Sequence, residues 1–121
     1  MAPSGRSALE SVSTLHWVAI ALALVTAAVH LVLGIGFLPH RMGVAFLVAT
    51  AGFVLGVALV LLDYRRRLVY LLGIPFTAGQ VILWYTVNQP AGPGDLTAAG
   101  VVDKVAQLLL IVVLVVLYRR E

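Results

Sequence analysis

The stretch Val102-Asp103-Lys104-Val105-Ala106-Gln107-Leu108-Leu109-Leu110-Ile111-Val112-Val113-Leu114-Val115-Val116-Leu117-Tyr118 decides how the chain is read. Its last eleven residues are aliphatic apart from the closing tyrosine, yet a carboxylate, an ammonium and an amide stand at Asp103, Lys104 and Gln107. Leu108 to Tyr118 alone rises only about 17 Å, short of the roughly 30 Å hydrocarbon core of a bilayer. A helix that crosses must therefore carry the polar residues within it. Ionisable groups in such a segment are costly and turn toward protein or water rather than lipid. The stretch predicts a spanning helix with one polar face, and that face needs other helices to pack against.

The composition agrees. Of 121 residues, 62% are hydrophobic and 11% charged, and the mean hydropathy is +1.08. Soluble domains carry about 25% charged residues, and a water-soluble fold of this size could not bury so much apolar surface. One domain is expected. There is no cysteine, which excludes disulfides, thiolate metal sites and cysteine nucleophiles. The net charge of +3 comes from arginines in short connections and at the chain end. That placement reports membrane topology, not a nucleic-acid partner.

Working outward, four spans emerge at about 15–38, 42–62, 68–88 and 96–118, within a membrane domain covering 15–118. Residues 1–14 are polar and read as a mobile tail, with Ser13 or Thr14 as N-cap of the first helix. The first apolar run exceeds a signal-peptide core of about 7–15 residues and lacks a clear cleavage site, so it reads as a retained span. The connection Leu38-Pro39-His40-Arg41 is short enough to force an antiparallel neighbour. Asp63-Tyr64-Arg65-Arg66-Arg67 is a tight basic turn. Pro75 is expected to kink the third span. Asn88 to Thr97, with Pro90, Gly92, Pro93, Gly94 and Asp95, is a loop. Arg119-Arg120-Glu121 forms a basic end.

With four spans, Arg6, the Arg65-Arg66-Arg67 cluster and Arg119-Arg120 fall on one side and Arg41 on the other. The positive-inside rule then places both termini in the cytoplasm of a multi-pass cell-membrane protein. The expected fold is all-α, a four-helix up-down-up-down transmembrane bundle. Trp17, Tyr64, Tyr70, Trp84, Tyr85 and Tyr118 fall near span ends, as an aromatic belt would.

Each span carries a stripe at spacings of three and four. The stripes are His16, Ile20, Ala23, Ala27, His30 and Gly34; then Ala45, Ala49, Gly52 and Gly56; then Gly73, Thr77, Gln80 and Trp84. The last is Gly100, Asp103 or Lys104, Gln107, Ile111, Leu114 and Tyr118. Small residues let helices approach closely in lipid and polar ones bond across, so Ala23, Ala27, Gly52, Gly56 and Gly73 are packing candidates. Gly52-x-x-x-Gly56 reads as packing within one chain ahead of packing between chains.

Depth arithmetic sharpens the polar face. His30 lies about 21 Å from His16, Gln80 about 20 Å beyond Arg67 and Lys104 about 22 Å from Arg119, all at 1.5 Å per residue. One polar layer is therefore expected, made of His30, Thr77, Gln80, Asp103, Lys104 and Gln107, in the outer half of the bilayer. Thr50 is a further candidate. Successive residues diverge by about 100° on a helix, so Asp103 and Lys104 are expected to reach different neighbours, with Asp103 pairing with His30. A buried structural network is the leading reading. The competing ones are an interfacial Lys104 that snorkels outward and a functional proton, ion or ligand site.

His16 and His30 are fourteen residues apart, near one face, a spacing that haem proteins with two cofactors use on membrane helices. No partner histidine stands on a second span, so haem ligation would require a symmetric oligomer; no cofactor and no metal are expected. No hydrolase triad, zinc motif or phosphate loop occurs, and enzyme activity is not expected. The expected role is a non-enzymatic interaction or accessory subunit, in contact with the lipid bilayer and with a second copy or a larger membrane protein. The alternative is a proton-coupled small-solute carrier or channel that uses the polar layer, and the lesser alternative is a haem-binding electron carrier.

Leu15-His16-Trp17, Val29-His30-Leu31, Leu68-Val69-Tyr70-Leu71-Leu72-Gly73-Ile74-Pro75 and Val102-Asp103-Lys104-Val105-Ala106-Gln107 together resemble a group of small four-span membrane proteins found in halophilic archaea. The resemblance covers nearly the whole chain. It implies a location and a fold, and no activity.

Overall fold

A computed structural model describes residues 9–88, 91, 92, 94 and 96–121. Arg6, Pro90, Pro93 and Asp95, and most of the polar tail, lie outside the described residues. Of the tail, Leu9–Ser11 forms one turn of 3-10 helix. Four helices follow: α1 (Thr14–Phe37), α2 (Arg41–Leu61), α3 (Arg66–Asn88) and α4 (Ala98–Arg120). All four are long and apolar enough to cross a membrane. No strand occurs among the described residues.

Local chemistry sets the boundaries. Ser13 caps α1 through a reciprocal box with His16, each side chain bonding the other residue's backbone N–H. His40, whose ring accepts from the Met42 N–H, caps α2. Thr97 accepts from Gly100 and caps α4. Such caps satisfy donors that a helix start otherwise leaves free. The α2–α3 connection is tight enough that Asp63 and Arg65 take left-handed backbone conformations, at φ 53° and 49°. Helix α3 begins at Arg66, so part of the expected basic turn is helical. It also continues through Pro75. Helix α4 runs on through Arg119 and Arg120, so the basic end is its last turn.

Helix α1 packs on α2 and α4, and α4 packs on α3, while α2 and α3 meet more sparsely. All six stripe residues of α1, from His16 to Gly34, are buried. On α2 the inward face differs from the expected one: Ala45 is exposed, and Gly43, Ala49, Phe53 and Val60 are buried. The reason is close approach at one end of the α1–α2 pair, where a Cβ on Gly43 would stand 2.7 Å from the Gly34 carbonyl oxygen. On α4 the seam runs through Leu110, Leu114 and Leu117 rather than Ile111 and Tyr118, which are half-buried. Tyr118 instead faces the Arg67 guanidinium, 4.4 Å from the ring centroid.

The small residues pack within the chain. A Cβ on Gly52 would meet Phe76 at 2.5 Å, and one on Gly73 would meet Leu114 at 3.1 Å. Gly56 has Val69 as its only such neighbour, at 3.8 Å. Ala23 and Ala27 lie in the core. The outer surface is the reverse of a soluble protein's: Val32, Ile35, Val48, Leu55, Leu72, Ile82, Leu83 and Val112 are all exposed. An apolar surface this extensive marks contact with lipid or another protein.

Candidate functional site

The polar residues of α1, α3 and α4 meet in one hydrogen-bonded cluster. Its centre is Gln107, fully buried. Its amide nitrogen donates to Gln80 Oε1 at 2.8 Å and to Thr26 Oγ1 at 3.2 Å, and its oxygen accepts from Lys104 Nζ at 2.6 Å. Both amide protons and the carbonyl are thereby used, which fixes the orientation of the group. Asp103 accepts from Thr26 Oγ1 on one carboxylate oxygen and from Lys104 Nζ, at 2.7 Å, on the other.

His30 closes the cluster. Its Nδ1 lies 2.8 Å from the Thr26 carbonyl and 3.6 Å from Asp103 Oδ1. A carbonyl oxygen can only accept, so Nδ1 carries the proton and donates to it. Phe46 and Phe53 pack on the imidazole, with centroids 5.4 and 6.2 Å away. The ring is thus oriented by one polar edge and two aromatic neighbours.

Two expectations change here. Asp103 and Lys104 bond each other. Their helical positions diverge, but the four-carbon lysine stem folds back over the first turns of α4, so side-chain reach overrides the 100° between the two Cα positions. Lys104 also turns inward: its side chain is 12% exposed, and its ammonium lies 5.9 Å from the Trp84 ring centroid. The outward-snorkelling reading therefore fails. The Asp103–His30 pair exists as a 3.6 Å contact, but the Thr26 hydroxyl stands closer to the carboxylate than the imidazole does.

The structure brings His30, Gln80, Asp103, Lys104 and Gln107 together. It leaves two candidates outside the bonded set. Thr50 donates to the Ala27 and Phe46 carbonyls, pinning α2 to α1. Thr77 is fully buried, but its hydroxyl makes no hydrogen bond to a described residue, and the same holds for Gln80 Nε2. Thr26 is the functional-face residue that stripe reasoning missed. A signal was present: Thr26 stands four residues before His30, one turn away on the same face.

A second buried cluster lies at the opposite end, where the arginines gather. Ser13 N–H donates to His16 Nδ1 at 3.0 Å, so Nδ1 is the acceptor and the proton sits on Nε2. That Nε2 faces Glu121 Oε2 at 3.4 Å, which brings the start of α1 and the end of α4 to one end of the bundle. Arg66, read from sequence as a topology signal beside Arg65 and Arg67, is buried. Its Nε donates to the Val60 carbonyl at 2.8 Å, and its Nη1 lies 3.3 Å from Asp63. It closes the last turn of α2, because a guanidinium offers donors where a helix end leaves carbonyls free. Arg65 lies against the Tyr64 ring at 5.5 Å. Tyr70 is fully buried beside His16, with ring centroids 6.3 Å apart. Its hydroxyl lies beside Glu121 at the same bundle end.

No group of three His, Cys, Asp or Glu side chains suited to a metal ion occurs among the described residues. The histidines weighed against haem ligation, His16 and His30, occupy different clusters and use Nδ1 for Ser13 and Thr26 respectively. No curated protein and no solved structure matches the chain. One family model does, over residues 4–118, and its description is a family of unknown function, DUF7475. That match spans almost the entire sequence, and the chain belongs to this family.

Proposed function

We propose that the chain is an integral membrane protein with both termini in the cytoplasm, acting as a non-enzymatic interaction or accessory subunit. The observation that supports this is the closure of the polar cluster. Asp103, Lys104 and Gln107 bond Thr26, Gln80 and one another. The chemistry holds helices together, and the exposed faces are apolar. The orientation rests on the arginines: the bundle end that holds His16 and Glu121 also carries Arg65, Arg67, Arg119 and Arg120, as the positive-inside rule requires of a cytoplasmic face. Purification in a gentle detergent followed by mass analysis of the intact assembly tests the reading. A stoichiometric second copy or membrane partner supports it, and a lone monomer from native membranes counts against it.

A second reading is a proton-coupled carrier or channel using the polar layer. It is favoured by the buried Thr77 hydroxyl and Gln80 Nε2. Buried polar groups in a finished structural network are paired, so two unsatisfied ones at its edge suggest a position that something else occupies.

A further inference from the structure

We propose that a cleft between α2 and α3 holds one anionic phospholipid from the leaflet at the arginine-bearing end, its acyl chain in the cleft and its phosphate on Arg65. This goes beyond the interaction-subunit reading and needs only that the chain spans a bilayer, whichever way it crosses. Packing leaves room at one place. Helix α1 packs on α2 and α4, and α4 packs on α3, while α2 and α3 meet sparsely. A half-open cleft of about 60 Å³ lies there. Its floor is Ala19, Ala23 and Leu114 of the packed α1–α4 pair, and its walls are Gly56 and Val60 of α2 and Val69 of α3. Small residues keep it open: a Cβ on Gly56 would meet only Val69, at 3.8 Å.

The dimensions select an acyl chain. On α2 the cleft runs from Gly52 to Val60, and on α3 from Val69 to Thr77. Each wall is therefore about 12 Å long at 1.5 Å per residue. One leaflet of a roughly 30 Å hydrocarbon core is about 15 Å deep, so a chain that enters at the interface lies along the cleft for most of its leaflet. A groove of this volume and length admits a single chain, whereas a helix about 10–12 Å across does not enter it. The lining is almost wholly apolar, which suits hydrocarbon and offers a polar solute little to bond.

Charge selects the head group. The cleft ends at Val60 and Val69, on either side of the α2–α3 turn. The Val69 N–H donates to the Arg65 carbonyl at 3.0 Å, so Arg65 stands one turn beyond the chain's entry, on the same side of α3. Arg65 is exposed and lies against the Tyr64 ring. Among the described residues it faces no carboxylate, because Asp63 pairs with Arg66. A guanidinium forks onto phosphate oxygens through two N–H groups, and basic pockets between spanning helices bind anionic lipid head groups. Arg67, Arg119 and Arg120 add to the positive potential of the same end. Arg67 itself sits off the cleft, over the Tyr118 ring of α4.

The test titrates the full chain in detergent with dioleoylphosphatidylglycerol or dioleoylphosphatidylcholine and counts retained lipid by native mass spectrometry. The wild type should keep one phosphatidylglycerol and prefer it by about tenfold, the equivalent of one charge-assisted contact. Arg65→Gln should abolish most of that preference, while Arg67→Gln, an equal loss of charge away from the cleft, should leave most of it. Gly56→Leu fills the cleft and should weaken both lipids, with circular dichroism showing that the helices remain. In the wild type, a phosphatidylglycerol with a photoreactive group midway along its chain should label Val57, Val60 and Val69 ahead of the outer residues Val32, Ile82 and Val112. Equal affinity for the two lipids overturns the proposal, and so do equal losses in the two arginine variants. Labelling confined to the outer residues, or displacement of the lipid by inorganic phosphate, overturns it as well. A lone monomer that holds this one lipid counts against the interaction-subunit reading and supports the lipid site.

Discussion

Replacing Lys104 by Met removes the only ammonium in the polar cluster while keeping an unbranched side chain of similar length. Asp103 then retains the Thr26 hydroxyl on one oxygen and loses its charged partner on the other, and Gln107 Oε1 loses its donor. Leaving one member of a buried ion pair uncompensated costs about 3–5 kcal/mol. Asp103→Ala has the mirror effect, leaving the ammonium with the Gln107 oxygen and the Trp84 ring but no counter-charge, and should cost a similar amount. The double variant strands neither charge. It loses the hydrogen bonds from Thr26 and to Gln107, each about 0.6–1.7 kcal/mol in membrane helices, so its total cost should be about 1–3 kcal/mol. The coupling, the two single losses minus the double loss, is then about 3 kcal/mol or more. Reversible unfolding in mixed detergent micelles, followed by circular dichroism, measures all three. Additive losses would refute the geometry, because groups that do not touch cannot compensate each other. A double variant that costs more than either single would refute the claim that stranded charge dominates.

Three further outcomes follow from packing and capping. Gly43→Ala should separate α1 from α2 and cost about 3 kcal/mol in the same unfolding assay, at the top of the overpacking range, because its Cβ meets the Gly34 carbonyl at 2.7 Å and the Leu38 nitrogen at 2.9 Å, backbone atoms that cannot rotate away. Gly52→Ala meets only the Phe76 ring, a side chain that can turn, so it should cost about 1 kcal/mol, and pairing it with Phe76→Leu should recover most of that loss. Ser13→Ala removes the capping box with His16 and should destabilise by about 1 kcal/mol, read as a lower unfolding midpoint.

Much of the site was legible in advance because helices impose arithmetic. A rise of 1.5 Å per residue and short connections put His30, Gln80, Asp103, Lys104 and Gln107 at one level. The three-four spacing of His16 through Gly34 put the whole inner stripe of α1 on one face. What the spacing could not give is where a long side chain ends. Lys104 folds onto Asp103, against its angular position, and Arg66 turns into the end of α2 instead of toward solvent. Helix rotation also shifts by a residue or so wherever packing demands it. Gly43 came to the α2 interface in place of Ala45 because the close approach to Gly34 needs a residue with no side chain at all.

The sequence by itself determined four long apolar helices, their order, and the level along the bundle at which the chain concentrates polarity. Those follow from composition, turn chemistry and rise per residue, which are local quantities. Only the tertiary structure decided the bonding within Asp103-Lys104-x-x-Gln107. Thr26, which no motif singled out, is the residue that bonds Asp103, Gln107 and His30 at once, and the Thr77 hydroxyl is buried without a hydrogen-bond partner among the described residues. Hydrogen-bond partners across helices depend on interhelical rotation and side-chain rotamers. Those are set by the packing of all four helices together, and no single stretch encodes them.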